Sequence, residues 1–199
     1  TKTTAKSQLY QAEYLRLNLG TKLYFSTECT LKNGTDIIKK FDGKNLIIGG
    51  QQGLAEINKT TEINLPKVDS FNSRYLRWTL ISPAIFRNGW LPDFCVDSRK
   101  NISSEDKAAL GTVMFKDCNF AKLIAARIGK AFAFSGWCLK TEEAKETTLA
   151  VPAGSSYVFD CGTPENAQKL ATVLQYPQRR SSELGAKGFG IGLCSSVNI

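Results

Sequence analysis

The densest cluster of chemically suggestive residues lies near the C-terminus, where Gly185-Ala-Lys-Gly188-Phe-Gly190-Ile-Gly192 follows Arg179-Arg180-Ser181-Ser182. Glycine at this density lets the backbone take positive φ and turn consecutive N–H groups toward an anion. A phosphate meets that requirement. The candidate contacts are Arg179, Arg180, Ser181 and Lys187, with the backbone of Gly188, Phe189, Gly190 and Gly192. The spacing fits neither the P-loop, which needs Gly-Lys before Ser or Thr, nor the dinucleotide fingerprint, whose last glycine comes three after the second. The same glycines would also relieve packing where a C-terminal strand passes under a helix, so both readings stay open.

A second constellation joins Arg74, Arg77, Trp78, Arg87 and Trp90. Its cations could pair with phosphates, and an aromatic in the Asn88-Gly89-Trp90-Leu91-Pro92 loop could stack a base. The competing reading makes Trp78 a core residue and the arginines a solvated face. Excess charge points the same way: 26 basic against 18 acidic residues give +8, which favours a polyanionic partner.

The chain contains no histidine. That removes Ser/His/Asp and Cys/His nucleophilic pairs, histidine acid–base chemistry and histidine metal sites. The acidic pair Glu142-Glu143 sits among Lys140, Lys145 and Glu146 and reads as a hydrated turn, and Tyr157 reads as a core strand residue. No catalytic residue, metal or cofactor is expected. The 6 cysteines (Cys29, Cys95, Cys118, Cys138, Cys161 and Cys194) form no C-x-x-C pair and read as reduced thiols of a cytosolic protein. No apolar stretch approaches the roughly 18 residues of a membrane span, so a soluble, cytoplasmic protein is expected. Length (199 residues) and 42% apolar content allow a substantial core in one domain or two small ones.

Elements that could position these residues follow from pattern. Alternation predicts strands over about 10–19 and 22–29, with a turn at Asn33-Gly34. Asn45 to Ile48 reads as a buried strand running into Gly49-Gly50, with extended chain resuming at Leu54. Tyr75 to Ile81 is a β-rich run broken by Ser82-Pro83. Residues 98–112 read as a mobile loop or insertion. Within Lys116 to Lys130 the spacing suits a short helix, although 122–128 also tolerates a strand. Phe132 to Trp137, Thr148 to Val151 and Ser156 to Phe159 are strand-like. Thr163-Pro164-Glu165-Asn166 opens a helix, with Ala167, Leu170, Ala171 and Leu174 as its apolar face. Strand, strand, helix, glycine loop, strand at the C-terminus, among many β-rich runs, gives an α+β domain built on a mainly antiparallel sheet.

Six segments, in order, resemble one family. They are Leu9–Leu17, Ile48–Ala55 with its Gly-Gly turn, Ser82–Pro92, Ser135-Gly136-Trp137, Ala150–Tyr157 and Gly185–Gly192. Together they resemble the repeat-associated mysterious protein (RAMP) superfamily, in particular the subunit that caps the 5′ end of the guide RNA in type III, III-B-like CRISPR effector complexes. The resemblance implies a ferredoxin-like (RNA-recognition-motif-like) fold with β-rich insertions. It also implies guide-RNA (crRNA) binding at the 5′ tag, with Gly49 and Gly50 among the contacts, and antiviral interference alongside a large polymerase-like subunit and backbone RAMP subunits. Gln51 stands where an acidic residue is common in such proteins. A further ferredoxin-like half usually precedes the matched region, so residues 1–199 are expected to be the C-terminal part of a longer protein or fusion. Two other readings stay open: a metal-independent endoribonuclease processing guide precursors, and a protein-only scaffold.

Overall fold

Among the described residues, Trp78, Tyr157 and Phe159 are the largest side chains to lose all contact with water. The computed structural model describes residues 18, 38–41, 43–48, 53–57, 70–97, 109–138 and 140–199. The chain divides into two units, Thr1–Asn64 and Leu65–Ile199. In the first, β1 (Asn45–Ile48) pairs antiparallel with β2 (Gly53–Glu56), with Asn45 opposite Glu56. Leu46, Ile47 and Leu54 of this ribbon are exposed, against the expectation of a buried strand. A single two-stranded ribbon has no second layer of its own to cover it. The strands expected over 10–19 and 22–29 (Asn18 aside), the Asn33-Gly34 turn and Gly49-Gly50 lie outside the described residues.

The second unit is a six-stranded antiparallel sheet with one α-helix among the described residues. Its strands are β3 (Tyr75–Leu80), β4 (Cys95–Asp97), β5 (Gly111–Val113), β6 (Lys122–Arg127), β11 (Ser156–Asp160) and β12 (Gly192–Val197), in the spatial order β12-β3-β11-β6-β5-β4. Between β6 and β11 the chain leaves the sheet as a ribbon. There β7 (Phe132–Phe134) pairs with β10 (Thr148–Ala150), and β8 (Trp137–Cys138) pairs with β9 (Glu143–Ala144). Because β11 and β12 both run antiparallel to β3, they run parallel to each other, and α1 (Pro164–Leu174) makes the crossover between them.

Period-2 patterning assigns the faces. Leu76, Trp78 and Leu80 from β3 and Tyr157 and Phe159 from β11 turn to one side, where Ala167, Leu170, Ala171 and Leu174 of α1 join them. Phe86, Leu91 and Phe94 from the 81–94 segment complete this core. Each large side chain buried there contributes roughly 1.5–3 kcal/mol of transfer free energy. Trp78 meets Phe94 edge-on at 5.6 Å and Tyr157 at 5.5 Å, so the core reading of Trp78 holds. Burial disfavours the charged form of nearby groups, and it pushes the Cys95 thiol up to about 12. Cys95, Cys118, Cys138, Cys161 and Cys194 are free thiols.

Two element readings change. The expected loop over 98–112 ends before Gly111, which starts β5 between β4 and β6; a Cβ there would stand 2.8 Å from the Val96 carbonyl oxygen. The rest of that span, 98–108, lies outside the described residues. Of the two options for the 116–130 segment, the strand is realised as β6. The helix α1 forms where local signals put it: the Thr163 hydroxyl accepts the Asn166 N–H at 3.2 Å, and Pro164 occupies the first turn. Thr163→Ala should therefore lower stability by about 1 kcal/mol in a urea titration, and an unchanged midpoint would show the cap to be idle.

Candidate nucleic-acid interface

Where β3 ends and β12 begins, two segments far apart in sequence are joined. The Ile81 N–H donates to the Ile191 carbonyl at 2.9 Å, and the Gly190 N–H donates to the Pro83 carbonyl at 2.7 Å. The Ser82 hydroxyl oxygen accepts the Ile191 N–H at 2.9 Å. Further along, the Ser181 hydroxyl accepts the Ile85 N–H at 2.9 Å and donates to the Glu183 carbonyl at 2.7 Å, while the Ser182 N–H donates to the Ile85 carbonyl at 2.9 Å. Asp93 closes the joint: one carboxylate oxygen accepts the Arg87 N–H at 2.8 Å and the other accepts the Ser182 hydroxyl. Segments 82–93 and 179–191 thus behave as one loop platform at one end of the sheet.

This platform presents Arg87, Arg179 and Lys187 to solvent. The other candidates from the same stretch have internal duties. Arg180 is half-buried; its Nε donates to the Val173 carbonyl at 2.7 Å and its guanidinium lies 4.8 Å from the centre of the Phe115 ring. Burial lowers its pKa. Ser181 is the clamp already described. Phe189 is buried, edge-on to Phe134 at 5.1 Å, and supplies no free ring for a base.

A cradle of free glycine amides is not what this backbone forms. The Gly188 N–H donates to the Gly185 carbonyl at 3.0 Å, Phe189 to Leu184 at 3.3 Å, and Gly190 and Ile191 are bonded across the joint. Buried amides require such partners, so an anion here would be met by side chains. The packing reading accounts for two of the glycines. A Cβ on Gly190 would lie 2.5 Å from backbone atoms of Arg180 and Ser181, and one on Gly192 would lie 2.0 Å from Trp78 Nε1. Gly188, at φ +86, instead sits in open space and ends the 3-10 turn Gly185–Lys187.

From the second constellation, only Arg87 and Trp90 reach the platform. Trp90 is half-buried, packs against the core, and its carbonyl accepts the Tyr157 hydroxyl at 2.7 Å, so it is no exposed stacking residue. Arg74 precedes β3 and therefore lies at the opposite end of the sheet, paired with Asp160 at 3.0 Å. Gly49 and Gly50 are outside the described residues. Pattern reading overlooked Lys122 and Arg127, which share with Arg77 the sheet face turned away from α1. Their signal was available in the β3 alternation, but β6 had first to be read as a strand.

Among the described residues no group of three His, Cys, Asp or Glu side chains could hold a metal ion. The family model for the CRISPR-associated protein Cas_Cmr3 matches residues 1–197. The chain belongs to this family. It is accordingly a RAMP-type subunit of a type III-B CRISPR effector complex, in accord with the resemblance carried by its six segments. A comparison with curated proteins finds none that matches.

Proposed function

We propose that the chain is a non-catalytic guide-RNA-binding subunit that holds the 5′ tag and helps assemble the interference complex in the cytoplasm, between a large polymerase-like subunit and the backbone RAMP subunits. The observation that carries this reading is the platform on which Arg87, Arg179 and Lys187 are exposed together although they come from remote segments. The strand order β12-β3-β11-β6, with α1 crossing from β11 to β12, supports the ferredoxin-like reading of the fold.

Each single-strand phosphate neutralised contributes about 0.7 to the slope of log affinity against log salt. At about 0.15 M salt this is roughly a fourfold change per contact, so the triple variant R87Q/R179Q/K187Q should bind guide-type RNA about fiftyfold more weakly. Its salt slope should flatten accordingly. A salt-insensitive affinity, or metal-independent cleavage of a labelled repeat RNA by the wild-type chain, would overturn the proposal.

A further inference from the structure

We infer that the sheet face turned away from α1 is a second binding surface for single-stranded RNA, separate from the loop platform; the inference rests on the guide-RNA reading above. Register fixes what this face carries. At the platform end Thr79 lies opposite Ser156, and Ser156 lies opposite Arg127. In the middle, Arg77 lies between Ser195 on one side and Val158 on the other, and its Nε donates to the Ser195 hydroxyl at 3.3 Å. At the far end Tyr75 and Lys122 flank Asp160.

Three observations favour RNA as the occupant. First, α1 and the 84–94 segment pack on the other side, and Arg77, Lys122 and Arg127 here are exposed. Second, the balance of charge is positive, because Asp160, the carboxylate in these rows, is already paired with Arg74. Third, Arg77 stands at the centre of the face beside Ser195, and Arg127 stands beside Ser156, while Leu193, Val158 and Val197 are the apolar neighbours in the same rows. A protein partner needs an apolar, charge-depleted centre, whereas a flexible strand of phosphates and 2′-hydroxyls is matched by cations and hydroxyls. Two strand spacings and a two-residue offset along β11 put Arg77 and Arg127 about 12 Å from each other. Arg74 lies 4.8 Å over the Tyr75 ring, giving the far end a planar pair on which a base can stack.

The experiment compares the full chain with two variants, R77Q/R127Q on the sheet and R87Q/K187Q on the platform. Binding of an unstructured, fluorescently labelled RNA is titrated at several salt concentrations, with duplex RNA as competitor. The sheet variant should lose about tenfold in affinity near 0.15 M salt and about 1.4 in salt slope. R77K/R127K should recover most of both, with melting curves unchanged throughout. If the platform variant weakens binding but the sheet variant binds like wild type, the sheet inference falls and the guide-RNA reading stands. If the wild-type chain binds no RNA, both fall. Equal competition by duplex would overturn the assignment to single strands.

Discussion

Replacing Gly192 by alanine should destabilise this protein by about 3 kcal/mol or more, because overpacking a well-filled core costs roughly 1–3 kcal/mol even where neighbours can adjust. Here the neighbour has little room to do so. The added Cβ would stand 2.0 Å from Nε1, 2.6 Å from Cε2 and 2.8 Å from Cδ1 of Trp78, which is fully buried. Trp78 is itself fixed by Phe94 and Tyr157 on the helix-facing side of the sheet. Either the indole leaves its site or β12 separates from β3. The companion variant Trp78→Phe removes the clashing five-membered ring and also an indole N–H that has no hydrogen-bond acceptor. In a double-mutant cycle followed by urea unfolding, the pair should therefore be markedly less destabilised than the sum of the single changes. Additive effects, or a Gly192→Ala midpoint equal to wild type, would show that the contact is not the reason for glycine.

What could be read from sequence divides by how local its cause is. The helix α1 announces itself within a dozen residues: Thr163 caps, Pro164 starts, and Ala167, Leu170, Ala171 and Leu174 repeat at helical spacing. For β6 the signal is distorted by its own geometry, since the pairing with β11 shifts between Val158 and Phe159 and leaves Ile124 out of step. A bulge of this kind breaks strict alternation, and Leu123 with Ile124 then resembles one turn of an amphipathic helix. The glycine segment shows a third kind of limit. Positive φ at Gly188 and Gly190 is a property of the residues themselves and was legible. The acceptors of their neighbours' amides were not, because Ser82 lies 109 positions from Ile191. The burial of Phe189 shows the same limit, since only the fold brings Phe134 against its ring. Arg87 and Lys187 are both visible as basic residues, but their sharing of a platform is a tertiary fact.

The glycines between 185 and 192 should consequently respond to alanine in a graded way, and Gly190 gives the functionally informative result. Gly185→Ala meets only an ordinary contact, 3.8 Å from the Arg179 Cβ, and should leave stability unchanged. Gly188→Ala enters open space but must hold φ +86, which costs an L-residue about 1–2 kcal/mol. Gly190→Ala combines a φ of +78 with a Cβ placed 2.5 Å from Arg180 C and Ser181 N, and a backbone cannot rotate out of the way as a side chain can. The strap 179–183 has to lift, breaking the Arg180 N–H bond to the Gly190 carbonyl (2.7 Å) and the Ser182 bond to Ile85 (2.9 Å). Strain and overpacking together should amount to about 3 kcal/mol. The damage should also be spatially confined: amide exchange should accelerate at Ile85 and Ser182 while Trp78 and Phe159, in the sheet, stay protected. Since Arg179 rides on the strap, RNA affinity should fall in Gly190→Ala and hold in Gly188→Ala. Equal stability losses in those two variants would refute the close-packing account of Gly190, and equal RNA affinities would detach the strap from the RNA contact.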